Sequence, residues 1–366
     1  MSVFPDKVLY PPNNPIGDLV RTLVPAPFSD VLNGGLAIFS LLALASLTPV
    51  VLIWLERKVA AHFQARLGPM RVGWHGTLQP VADGIKLMFK EILKPEGADT
   101  FLFFLAPILP ATASFLVLTV LPFDHHLQVT DLNAGVLFVI AASGLSIFGV
   151  LLAGWSSNNK YSLLGGIRAG AQMISFEISL ALLMLLIVLL SGTASLRGIV
   201  LAQQGTILDW WIFKFPLFGL VAFILFLISS TAELNRGPFD IVEAESELTG
   251  GFTTEYSGIS FAMFFFAEFV NMFVAAALAT TLFLGGFLAP QMGWGMLDRL
   301  LGAVPGFVWF FAKTYGVIFI YMWFRWTFPR LRGDQLMVFE WKVLLPMHLF
   351  LLAVAGFFIT MEWIPL

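Results

Sequence analysis

The chain has 366 residues, 58% of them hydrophobic and 12% charged, with 38 Phe and 11 Trp, and its mean hydropathy is +0.87. A soluble core of this size would need far more polar surface, so the composition excludes a soluble globular protein and indicates an integral membrane protein. The lack of Cys excludes disulfides, thiolate catalysis and Cys-ligated metal or iron–sulfur centres in this chain, while a net charge of −3 says little, because in a membrane protein the location of charge outweighs its sum.

Residues 1–31, with Pro at 5, 11, 12, 15, 25 and 27, read as an extended or interfacial lead-in. Eight apolar runs of membrane length follow, at roughly 32–55, 100–121, 134–155, 169–190, 213–232, 258–284, 306–327 and 341–361. None shows the alternation of a barrel strand. Lipid offers no partner to an unpaired backbone, so the runs are expected to be helices. The first run lies too far in, and is too long, for a cleaved signal peptide. There is no internal repeat. The expected fold is an all-α integral membrane protein, one polytopic domain over 1–366 with about eight transmembrane helices.

Two connections stand out. Within 57–99, the stretch LQPVADGIKLMFKE (78–91) sets Leu78, Val81, Ile85, Met88 and Phe89 at helical spacing, with Asp83, Lys86 and Lys90 on another face. That pattern predicts an amphipathic helix lying at the interface. The 233–257 connection is acidic. Residues 231–256 hold six acids (Glu233, Asp240, Glu243, Glu245, Glu247 and Glu255) against one base, Arg236. In a chain with about half the usual share of charge, such a cluster points to function. Lys and Arg divide 14 to 5 between the two sides, with Lys313 inside a span. The rich side is expected to be the cytoplasm. Both termini then lie outside it, and the acidic connection faces in.

Three acids lie in or at the end of spans. Glu177 and Glu268 are each about nine residues in, hence about 13 Å deep at 1.5 Å per residue. Glu233 closes the fifth span on the same side. Groups at this depth can carry protons or a cation, or can hydrogen-bond helices together. Asn271 shares a helix face with Glu268 and is a candidate neighbour. Lys313 could be a counter-ion, a relay or a snorkelling side chain. The five His residues lack metal spacing, and no metal is expected. No phosphate-binding loop, dinucleotide fingerprint or nucleophile elbow is present.

Several motifs together resemble the H subunit (the first subunit in mitochondrial numbering) of respiratory complex I, the proton-pumping NADH:quinone oxidoreductase. They are ERKVAAHFQARLGP and RVG within 56–73, LQPVADGIKLMFKE at 78–91, GWSSNNKYSLLGGIRAGAQMISFE at 154–177, AELNRGPFDIVEAESELTGGFTTEYS at 232–257 and PRLRGDQLM at 329–337. The resemblance covers roughly 45–345, and the acidic motif is its most specific part. It implies a membrane subunit at the end of the electron-transfer arm. Quinone, the substrate, would enter between this subunit's helices and reach an iron–sulfur cluster held by a peripheral partner.

By position, Arg57, Asp83, Arg325, Asp240, Glu243, Glu245 and Glu247 would surround or adjoin the quinone chamber. Glu177, Glu233 and Glu268 would form a proton path leading into the membrane arm. No cofactor is expected on this chain. Flavin and iron–sulfur clusters are expected in partner subunits, among them peripheral quinone-site and iron–sulfur subunits and other membrane subunits. The lipid bilayer is a further partner, nucleic acid is not, and the location implied is a bacterial inner membrane. Two departures matter. Met70 stands where many members have Asn. Gly144 stands where many have Glu, so the third span has no acid. A water-holding space beside Gly144, with Ser143 and Ser146 as partners, is the expected substitute.

Two rival readings stay open. One is a membrane subunit of a related energy-converting hydrogenase or of an F420- or ferredoxin-linked complex. The other is a stand-alone secondary transporter, against which the missing repeat argues.

Overall fold

The computed structural model describes residues 28–241 and 249–361. Among these the chain is helical, and no strand occurs. Helix α1 spans Phe28–Phe63. A 36-residue helix is about 54 Å long at 1.5 Å per residue, well beyond a hydrocarbon layer of about 30 Å. Its last turns therefore stand clear of the layer and carry Glu56 and Arg57. The sequence places Arg57 in the connection; the structure assigns it to the helix, because the helix continues past the apolar run. Pro49 lies inside α1 and removes one helix hydrogen bond.

The predicted interfacial helix is α2, Gln79–Phe89, begun by Pro80 in its first turn. Its apolar side chains Val81, Ile85, Met88 and Phe89 are exposed, as expected of a helix that lies on a lipid surface. Helices α3 (Thr100–Leu105) and α4 (Ile108–Val120) build the second span. Helices α5 (Gly135–Ser156) and α6 (Lys160–Ser191) form an antiparallel hairpin. Asn159 caps the N-terminus of α6, accepting from Tyr161 N–H at 2.9 Å, and Gly192 ends it in the left-handed conformation. A β-carbon on Gly154 would lie 3.0 Å from the Gly166 α-carbon. The two backbones thus meet at glycines, the packing that draws membrane helices closest.

The short α7 (Leu196–Leu201) and α8 (Trp211–Lys214) lead into α9, Pro216–Glu233. Then come α10 (Gly258–Phe283), α11 (Gly295–Gly302) and α12 (Gly306–Thr327). The chain closes on α13 (Gly333–Phe339), a π turn at Glu340–Leu344, and α14 (Leu345–Thr360). These last three run as one membrane-length helix.

Seven helices are long and apolar enough to cross a membrane, and α9 adds a shorter apolar one. These are the eight expected spans. Helix α10 is the hub, touching α1, α2, α4, α9 and α12. Large apolar side chains such as Ile38, Phe39, Leu137, Phe148 and Phe350 stand exposed on the outside. On a soluble protein such a surface would aggregate; exposed apolar surface of this extent marks a membrane or partner-protein interface.

Candidate functional site

Helix α9 ends in a tight turn. Asn235 takes the left-handed conformation at φ 52°, a placement Asn tolerates better than other side chains. Gln172 of α6 clamps the turn, donating to the carbonyls of Ala232 at 2.7 Å and Phe239 at 2.8 Å. From the segment between α12 and α13, Leu331 N–H donates to the Pro238 carbonyl at 3.0 Å. So held, the turn drives Arg236 inward.

The Arg236 side chain is 1% exposed and bridges two acids, Glu56 of α1 at 2.8 Å and Glu268 of α10 at 2.8 Å. Its guanidinium also lies over the Phe269 ring, 4.8 Å from the centroid. Glu56 pairs further with Arg325 of α12 at 2.5 Å. The result is a buried chain of alternating charge, Glu268–Arg236–Glu56–Arg325, drawn from three membrane helices and one turn.

A cavity of about 540 Å³ opens at the Arg325 end. Its walls include Glu56, Arg57, Gln79, Phe265, Phe269 and Arg325. Asp83 adjoins it through Arg57, which it pairs at 2.7 Å, and also accepts from Gln79 at 3.2 Å. Asp240 stands on the turn after α9 and does not line this cavity. Glu243, Glu245 and Glu247 lie outside the described residues.

A second cavity, about 150 Å³, lies at the Glu268 end of the chain. It is lined by Glu177, Glu233 and Glu268 together with Ser143, Ser146 and Asn271. The three acids picked out by depth therefore share one chamber. Ser143 donates to Glu177 at 2.7 Å. A β-carbon on Gly144 would meet nothing within 4 Å except Glu177 Oε1 at 3.7 Å. The Glu177 carboxyl of α6 is what stands against Gly144, and the neighbours Ser143 and Ser146, rather than Gly144 itself, line the chamber. Asn271 lines the chamber but accepts from Ser114 of α4 at 2.6 Å rather than pairing with Glu268. Helix α4 packs against α10 at that point and reaches it first.

Lys313 is no part of this system. Its Nζ donates to the carbonyls of Leu284 at 2.7 Å, Gly286 at 3.0 Å and Leu288 at 2.7 Å, and sits 4.0 Å from the Trp210 ring centroid. It closes the end of α10, a structural task. Glu56 and Arg236, in contrast, are the centre of the site, and depth-based reasoning gave neither a role. The available signal was charge balance: Arg236 is the one base among the six acids of its connection.

The sequence matches the family model described as NADH dehydrogenase over residues 36–356. It is 50% identical to the H subunit of NADH-quinone oxidoreductase from Phocaeicola vulgatus over 301 residues, covering 82% of this chain and 83% of that protein. With the protein of the same name from Bacteroides fragilis it shares 45% over 340 residues, 90% of this chain and 94% of the relative. With an H subunit of NADH-quinone oxidoreductase from Geobacter sulfurreducens it shares 46% over 336 residues, 86% and 92% respectively. The chain belongs to the family of NADH-quinone oxidoreductase H subunits. As a member it is a multi-pass membrane component of a multisubunit NADH:quinone oxidoreductase, and its partners include the other subunits of that complex. Among the described residues no cluster of His, Asp and Glu could hold a metal.

Proposed function

We propose that this subunit forms part of the quinone-binding chamber and couples quinone reduction to proton translocation. The observation that carries the reading is the ion-pair chain between the two cavities. Quinone would occupy the larger cavity beside Arg57, Gln79 and Arg325. Reduction to quinol consumes two protons and two electrons, so the electrostatic balance at Arg325 and Glu56 changes with each turnover. Arg236 is held by both Glu56 and Glu268, and a change on one side alters the pairing on the other. Glu268 opens onto the chamber with Glu177 and Glu233, which would pass protons through water across the gap at Gly144.

The reading assigns no redox group to this chain. Flavin and iron–sulfur clusters would sit on peripheral partner subunits docked over the acidic connection and the 57–99 segment, with Asp240, Glu243, Glu245 and Glu247 near the chamber mouth. The Lys and Arg distribution favours a cytoplasmic location for that face, and for both termini the opposite side of a bacterial inner membrane.

The test compares two electron acceptors in the assembled enzyme. Arg325→Ala and Glu56→Gln are expected to lower quinone reduction by tenfold or more, on the order of 1.4 kcal/mol of transition-state stabilisation. Reduction of an artificial acceptor that draws electrons upstream should change little. Equal loss with both acceptors would mean damaged assembly and would refute the chamber assignment.

A further inference from the structure

The C-terminal helix carries a buried carboxyl that the arrangement above does not use. Glu340 is 1% exposed. The Ser179 hydroxyl of α6 donates to its Oε1, and its Oε2 has no hydrogen-bond partner. No cation pairs with it among the described residues. A buried carboxyl without a counter-ion is retained at a cost in desolvation, and such groups neutralise by holding a proton.

Its position is specific. Leu336, Glu340, Leu344, His348, Leu351 and Ala355 form one buried face turned inward. The π turn beginning at Glu340 keeps that face aligned across steps of four residues. Ser179 follows Glu177 by two residues, hence by about 200° around α6 and about 3 Å along it. One helix thus carries two carboxyl sites at one depth, on opposite faces. Phe339, adjacent to Glu340, stacks on Phe239 with centroids 6.5 Å apart and 12° between planes. Phe239 belongs to the turn that presents Arg236 and Asp240, and Gln172 holds its carbonyl at 2.8 Å.

The other charged and titratable groups of the packed elements are occupied elsewhere. Glu177 of α6 and Glu233 of α9 line the acid chamber. Arg168 of α6 reaches to Gly333, 3.7 Å from where a β-carbon would stand. On the helix itself Lys342 is exposed, and His348 is buried two turns further on with neither ring nitrogen hydrogen-bonded.

We propose that Glu340, with Ser179, is a second proton-exchanging site, set on the face of α6 opposite Glu177 and linked through Phe339 and Phe239 to the Arg236 turn. The step is acid–base exchange alone. The Oε2–H bond breaks and the carboxylate keeps the electron pair; the proton bonds to the oxygen of a water molecule admitted at Oε2, giving hydronium, and the Ser179 hydroxyl steadies the anion at Oε1. Its use in pumping rests on the proton coupling proposed above.

The test is infrared difference spectroscopy on the intact complex in proteoliposomes, quinone-reduced minus oxidised. A protonated-carboxyl band is expected that vanishes in Glu340→Gln, shifts in frequency in Ser179→Ala and persists in Glu177→Gln. A Glu340→Gln spectrum identical to that of the unsubstituted enzyme would overturn the proposal. So would a Ser179→Ala spectrum without a shifted band, and that variant decides alone if Glu340→Gln does not assemble. Proton-to-electron ratios separate the two levels. Loss of pumping in Glu177→Gln with no Glu340-dependent band sinks this inference and spares the proposed function. Undiminished pumping in both Glu177→Gln and Glu340→Gln refutes the proton path itself.

Discussion

Arg236 is the charge on which the buried chain depends, and its removal has a cost that can be worked out in advance. In Arg236→Gln, Glu56 keeps its pairing with Arg325 at 2.5 Å, but Glu268 loses the cation that sits 2.8 Å away. Removing one partner of a buried pair costs about 3–5 kcal/mol, because the other charge is left uncompensated. The Glu268 side chain is 28% exposed to its cavity, which puts the cost at the lower end, about 3 kcal/mol. Glu268→Gln is a different perturbation. The amide oxygen still accepts from Arg236, so an ion pair becomes a hydrogen bond from a cation to a neutral acceptor, a loss of about 1 kcal/mol. The double variant leaves no stranded charge and should recover about 2 kcal/mol relative to Arg236→Gln, within the range of measured pair couplings. The assay is the amount of assembled subunit in membranes and the temperature at which the purified complex loses it. Glu268→Gln and the double variant are expected to be about equally stable, and both more stable than Arg236→Gln. An Arg236→Gln variant as stable as Glu268→Gln, or a double variant no better than Arg236→Gln, would refute the pairing as the source of stability.

Lys313→Met should lower the thermal midpoint of the complex while leaving protons pumped per electron unchanged. Three carbonyls lose their donor, at about 1–3 kcal/mol for each that stays buried and unpaired. Reduced coupling at full stability would instead return Lys313 to the proton path. Gly144→Glu should assemble and pump, because a β-carbon there meets only the Glu177 oxygen at 3.7 Å, beside the chamber that Ser143 and Ser146 line. Failure of both Gly144→Glu and Gly144→Ala to assemble would show the space to be closed in the membrane. A reporter fused after Gly251 should be active only in its cytoplasmic form, and activity in the periplasm would invert the topology.

The spans were legible because hydropathy over about twenty residues is a strong signal and lipid permits only helices or closed barrels, of which runs without barrel alternation leave the helix. Their ends were not. Apolar runs stop where the hydrocarbon stops, whereas α1 continues to Phe63 and α6 begins at Lys160, both with polar residues in their outer turns. Glu177, Glu233 and Glu268 were legible as a group because an acid at depth is costly and conspicuous. Their convergence on one chamber was not, since it depends on the Gly154–Gly166 contact and the packing of α10 among its neighbours. Glu56 escaped notice because it stands at the edge of a run, beside Arg57 and Lys58, where charge is ordinary. Arg236 pairs with residues 180 and 32 positions away, and no local pattern encodes such a pair. Lys313 was ambiguous for a related reason. Its partners are backbone carbonyls of residues 284–288, exposed by left-handed glycines at 285 and 286.

The alternating chain also explains why a membrane protein can keep four charges in contact between two cavities. Two acids and two bases cancel, so the set has no net charge to be solvated, and each link is a hydrogen-bonded ion pair of 2.5–2.8 Å. Cancellation makes the set stable and also sensitive. A proton taken up by either acid, Glu56 or Glu268, leaves one base in excess, and Arg236 then pairs with the other acid alone. Of these two acids Glu56 lines the larger cavity, and Glu268 opens onto Glu177 and Glu233. Under the proposed function, quinone chemistry has only to disturb the first pair for the last to respond, and no side chain need travel between the two cavities.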